Sequence, residues 1–66
     1  MIRNLTFENK DASPEESRHS FDVAAEAIPV IMQWYGGFHA GDEYTVTVDG
    51  KEVYTDRNGE LLGELP

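Results

Sequence analysis

The sequence predicts an α+β domain in which one long helix packs across an antiparallel sheet. Three observations predict it. The opening "IRNLTFE" alternates apolar and polar residues, as a half-buried strand does. The central "SFDVAAEAIPVIMQWY" repeats its apolar residues at helical spacing. Asp49-Gly50, a preferred hairpin turn pair, sits between two alternating runs. The expected order is β-α-β-β, with room for a fourth short strand at the C-terminal end.

The first strand covers residues 2–8, with Arg3, Leu5 and Phe7 on one face and Asn4, Thr6 and Glu8 on the other. "NKDASPEE" reads as a turn and a helix start. Ser13 suits the N-cap, Pro14 the first helical position, and Glu15 and Glu16 the positive end of the helix dipole. Glu16 also stands three residues after Ser13, as a capping box requires. The helix then follows Phe21, Ala24, Ala25, Ile28, Ile31, Met32 and Tyr35, and Gly36-Gly37 end it. Pro29 falls inside this run, where it removes one hydrogen bond and clashes with the preceding turn. One kinked helix and two helices joined near Ile28 both satisfy it. The unbroken phase of the stripe favours the kink. Asp22, Glu26, Pro29 and Gln33 form a narrow polar line that marks the solvent side.

A second stripe, Val23, Ala27, Val30 and Trp34, has no counterpart in so small a sheet. Phe38 in "GFHAG" could fold back over part of it. The remainder predicts a self-association or partner surface, with Trp34, Tyr35 and Met32 as the residue types enriched at interface centres. A homodimer through this stripe is the expected oligomer.

Residues 43–56 predict a hairpin in which Val48 faces Lys51, Thr47 faces Glu52 and Val46 faces Val53. The same register sets Glu43 opposite Asp56, a like-charge pair that costs stability. Tyr44, Val46, Val48 and Val53 then join Phe21, Ala25, Ile28 and Met32 as the expected core. In the tail, Asn58-Gly59 is a second turn signal, and "ELLGEL" reads as a short edge strand with Gly63 beside Tyr54.

At 66 residues the chain reads as one domain, 1–66. A domain of this size is marginal alone and commonly leans on disulfides, metals or a partner. There is no cysteine, so disulfides are excluded, and a reducing compartment fits. No apolar run resembles a signal peptide or a membrane span. The expectation is a cytoplasmic protein, in the host cytoplasm if it is phage-encoded.

Chemistry is sparse. His19 and His39 lie twenty residues apart and do not make a zinc set. "DRNGE" has its glycine two places early for a calcium loop. "GGFHAG" has no lysine, as a phosphate loop would need. No serine has a nucleophile's context. The sequence therefore predicts no enzyme, no cofactor and no metal.

Charge is the clearest functional signal. Thirteen acids oppose five Lys and Arg, a net charge of −8. That argues against direct nucleic-acid binding, which runs on cations that neutralise phosphates, and against anionic membrane surfaces. It suits a basic protein partner. Residues 42–66 carry seven acids and two basic groups, against six and three in residues 1–41. Glu43, Glu52, Asp56 and Glu60 make the expected acidic partner-binding face. Alternate residues on one strand face lie about 6.8 Å apart, close to the phosphate repeat of DNA. Such a face can imitate a nucleic-acid backbone in the basic groove of a nucleic-acid-binding protein. In size, charge and lack of a catalytic motif, the chain is similar to the small acidic inhibitors that bacteriophages direct at host machinery. The alternatives are an accessory domain whose acidity serves solubility or high-salt adaptation and, more remotely, an uncharacterised enzyme.

Overall fold

The computed structural model describes residues 1–66, and its hairpin turns where the sequence says it must. Asp49 and Gly50 both take positive φ, 52° and 83°, as a type I′ turn requires. The turn joins β3 (Tyr44–Val48) to β4 (Lys51–Thr55). Val46 pairs with Val53, Thr47 with Glu52 and Val48 with Lys51, the register expected. The predicted Glu43–Asp56 pairing does not form. The Glu43 carbonyl instead accepts from the Lys10 N–H at 3.0 Å, one residue past the end of β1 (Ile2–Asn9).

The α+β class holds, with one helix on an antiparallel sheet, but the first half of the expected helix is a strand. Residues 18–24 form β2 (Arg18–Ala24), paired with β1 from Ile2↔Ala24 to Glu8↔Arg18. The capping signal at Ser13 produces only a single 3₁₀ turn, Pro14–Glu16, with no side-chain cap. The reason lies in the two periods that "RHSFDVA" satisfies at once. His19, Phe21 and Val23 alternate with Arg18, Ser20 and Asp22 as readily as Phe21 and Ala25 keep helical step. β1 decides between them. Its Leu5 and Phe7 are fully buried and even its outward Thr6 is 4% exposed, so β1 is a central strand needing a partner on each side. β3 supplies one, Leu5↔Val48 to Asn9↔Tyr44, and β2 the other.

A second 3₁₀ turn, Ala25–Ala27, leads into α1 (Ile28–Phe38). Pro29 therefore starts the helix rather than kinking it. Its missing N–H falls in the first turn, where no intrahelical partner exists. Asp22, Glu26 and Gln33 are exposed as expected, although Asp22 and Glu26 lie outside α1. Gly36 and Gly37 lie within the helix, which ends at Phe38.

β5 (Leu61–Leu62) closes the sheet in the order β2-β1-β3-β4-β5. Its register is one residue off the expectation, with Tyr54 facing Leu62 rather than Gly63. The loop has three residues, Arg57–Gly59, and Gly59 (φ 82°) takes the left-handed position such loops need. Asp56 fastens this loop, its Oδ1 accepting the N–H groups of Asn58 (2.8 Å) and Glu60 (2.9 Å).

The core lies between α1 and one sheet face. Leu5, Phe7, Ile28, Met32, Tyr35, Val46, Val48 and Val53 are buried, while Phe21 and Tyr44 pack partly buried around them. Ala25 is also only half-buried. Phe7 and Tyr35 stack nearly parallel at 3.9 Å between ring centres. Gly36 faces Gly59 backbone to backbone. A Cβ on Gly36 would stand 2.5 Å from Gly59 Cα, so this side of the helix is seated directly on the β4–β5 loop.

Candidate functional site

The largest concavity is an open cleft of about 350 Å³ at the C-terminal end of α1. Gly36 and His39 form one wall, residues 40–44 the rim, and Thr55, Asp56 and Arg57 the opposite wall. Behind it stands a polar cluster centred on Asn9, a buried residue at the end of β1. Asn9 Nδ2 donates to Asp42 Oδ2 at 3.0 Å and to the Tyr35 hydroxyl at 3.3 Å. Its Oδ1 accepts the Asp11 N–H at 2.8 Å. His39 Nδ1 lies 3.1 Å from Asp42 Oδ2.

The hydrogen bond from Asn9, then that from His39, hold the Asp42 carboxyl below the usual carboxylate range. Ionised Asp42 can only accept, so His39 Nδ1 carries the hydrogen of their bond. The 3.4 Å approach of Asn9 Nδ2 to the same nitrogen is then a contact between two donors. The His39 ring also stacks on Tyr35 at 4.3 Å. Its ring is thereby oriented, and the loop after α1 is tied to β1. No serine or lysine lines the cleft. No group of three or more His, Asp or Glu side chains converges as a metal site would need.

The expected acidic face divides. Glu43 and Asp56 line the cleft together with Asp42. Glu60 adjoins them through the Asp56 turn. Glu52 alternates with buried Val53 and so lies on the opposite, open face of the sheet. Arg57 is the one permanent cation on the cleft wall. Of the thirteen side-chain carboxylates only Asp49 has a Lys or Arg within 4 Å, its partner Arg3, while Asp42 has the His39 ring beside it. The remaining acids set up an uncompensated negative field.

The apolar stripe also divides. Val23 belongs to β2 and packs against the core, and Ala27 is half-buried in the 3₁₀ turn. Val30 and Trp34 remain on the outer side of α1, 67% and 59% exposed. Phe38 does not fold back; it is 73% exposed and stacks on Trp34 at 5.8 Å. These two rings border a small groove against His19 and Phe21 of β2. Sequence reasoning missed Asn9, because no local pattern distinguishes a hub asparagine from a turn residue. Phe38 was legible as one helical turn beyond Trp34, had the helix been extended through the glycines.

No helix is long and apolar enough to cross a membrane. Comparison with protein-family models, with curated proteins and with solved structures found no match.

Proposed function

We propose that this protein is a small acidic binding module that occupies a basic site on a protein partner, in the manner of an inhibitor that imitates nucleic acid. The observation that carries the reading is the excess of carboxylates with no Lys or Arg within 4 Å, with Asp42, Glu43, Asp56 and Glu60 gathered at one end. There the Asn9 and His39 hydrogen bonds keep Asp42 charged. A basic groove built for phosphates gains from such a surface by complementary potential and by fast, steered encounter.

A second reading rests on the other acids. Glu8, Glu15, Glu16 and Glu26 are exposed and do not line the cleft. A charge spread so widely also serves solubility, with no partner involved.

One experiment separates the two. The immobilised protein is presented with a lysate at low and high salt, alongside a variant carrying Glu43→Lys and Glu60→Lys. The binding reading expects specific basic proteins retained at low salt, released by salt or by a DNA oligonucleotide, and not retained by the variant. Equal retention by both proteins, or none, supports the solubility reading.

A further inference from the structure

The free edge of β2 has a built-in preference for a second copy of itself. At the two ends of the β1–β2 ladder, Asn9 N–H bonds the Ser17 carbonyl at 2.8 Å and Ala25 N–H bonds the Met1 carbonyl at 3.1 Å. The register between these ends runs without a bulge. In an antiparallel ladder every second residue bonds inward. The odd residues of β2 therefore face β1. Arg18, Ser20 and Asp22 direct their N–H and C=O groups outward, unpaired. At the other edge of the sheet β5 is only two residues long, which protects that edge by brevity. β2 offers seven.

An antiparallel partner must match outward-facing residues to one another, and a two-fold axis restricts the choice further. Centring on Arg18 or on Asp22 sets like charges face to face. Centring on His19 or on Phe21 leaves Arg18 opposite Ser20 or Ala24, respectively. Only centring on Ser20 sets Arg18 against Asp22 of the second copy, and does so twice. The backbone phase and the side-chain charges thus select the same register. Arg18 is exposed and has no ion pair within its own chain, and Asp22 makes only a 3.3 Å bond from Asn4. On the helix side the same register brings His19 of each copy opposite Phe21 of the other, beside the exposed Trp34 and Phe38 rings.

The geometry points to a two-fold homodimer formed by β2–β2 pairing about Ser20, which continues the two sheets into one of ten strands. This moves self-association from the helical stripe to the sheet edge, and it stands independently of the acidic binding function. Because each copy has one long open edge, the contact closes on itself and does not propagate into fibres.

The test uses charge exchange at 0.15 M salt, where screening over about 8 Å subdues the repulsion between two acidic chains. Arg18→Asp and Asp22→Arg, each alone, set like charges at both contacts. Each should weaken self-association at least tenfold, on the order expected for two reversed cross-strand pairs. Mixing the two variants restores opposite charges at both contacts, so a heterodimer should form with about the parent's affinity. Sedimentation velocity reads all three, and circular dichroism confirms that each variant is folded. In the unmodified dimer, the outward amides of Arg18, Ser20 and Asp22 should be protected from hydrogen exchange, and Ser20→Pro should abolish the dimer. A monomer at about 100 μM, far above an ordinary micromolar Kd, overturns the inference, as does failure of the mixed variants to associate. So does rapid exchange of the three amides, or binding at this edge of an extended segment from a different protein while the chain itself stays monomeric.

Discussion

Gly36→Ala and Gly37→Ala are the same chemical change at adjacent helix positions, and the structure expects opposite signs. At Gly36 the added Cβ would meet Gly59 Cα at 2.5 Å, Gly59 N at 2.9 Å and the Tyr44 hydroxyl at 3.0 Å. Two of these atoms are backbone and cannot swing aside, so α1 or the β4–β5 loop must move. Overpacking of this kind costs about 1–3 kcal/mol, while Ala in place of helical Gly returns about 1 kcal/mol. The overlap is deep, so the cost should fall at the upper end, a net loss of roughly 1–2 kcal/mol. At Gly37 nothing lies within 4 Å of the new Cβ, and the gain of about 1 kcal/mol stands alone. For a chain of this length each kcal/mol moves Tm by about 4–8 °C. Thermal and urea unfolding should therefore place Gly36→Ala about 4–16 °C below the parent and Gly37→Ala about 4–8 °C above it. A Gly36→Ala protein as stable as the parent would show that helix and loop are not in backbone contact, and would refute the seating of α1.

Four further outcomes are expected. Gly59→Ala should be at least as damaging as Gly36→Ala, because its left-handed φ of 82° and a Cβ 2.7 Å from the Met32 carbonyl oxygen both oppose a side chain; unfolding midpoints would check it. Met32→Ala empties a fully buried site and should cost about 2–5 kcal/mol, enough to leave much of the chain unfolded by circular dichroism. Asp42 and Asp49 are held below the usual carboxylate range, Asp49 by the Asn4 backbone N–H and then by Arg3. Unfolding returns both to about 3.9, so their contribution is complete above that value and is lost as pH falls through the folded ones; stability that stays flat from about pH 5 to pH 2 would contradict this, and Asp49→Asn should shrink the drop. Trp34→Ala should leave monomer stability within about 0.5 kcal/mol, since the ring is 59% exposed; thermal unfolding would check it.

Local chemistry made the hairpin legible. Asp49 and Gly50 accept positive φ, the flanking residues alternate, and twelve consecutive residues contain every interaction that sets the register. β1 was legible for the same reason, as was the inward face of α1 through Ile28, Met32 and Tyr35. The three-residue loop at Arg57–Gly59 was nearly so: Asn58-Gly59 marks a turn, but the Asp56 carboxylate bonding both Asn58 and Glu60 selects the longer form. Of the candidate surfaces, the sequence showed that acids dominate and that α1 carries apolar residues it does not bury. It did not show that Glu52 faces away from Glu43 and Asp56, or that Val23 belongs to the core.

Residues 18–24 mark the boundary between the two kinds of information. Taken alone, they fit a helix and a strand about equally, and a capping signal just upstream tips the local balance toward helix. What decides for a strand is β1, whose Leu5 and Phe7 bury fully only when its second edge is paired. The same pairing turns Pro29 from a kink into a start and exposes Trp34 and Phe38 beside an unpaired edge. Composition and local periodicity determined that the protein is an acidic α+β domain with a central apolar segment. Which half of that segment became strand was decided by tertiary structure, because satisfying the backbone and burying the side chains of a central strand outweighs the propensity of one amphipathic turn.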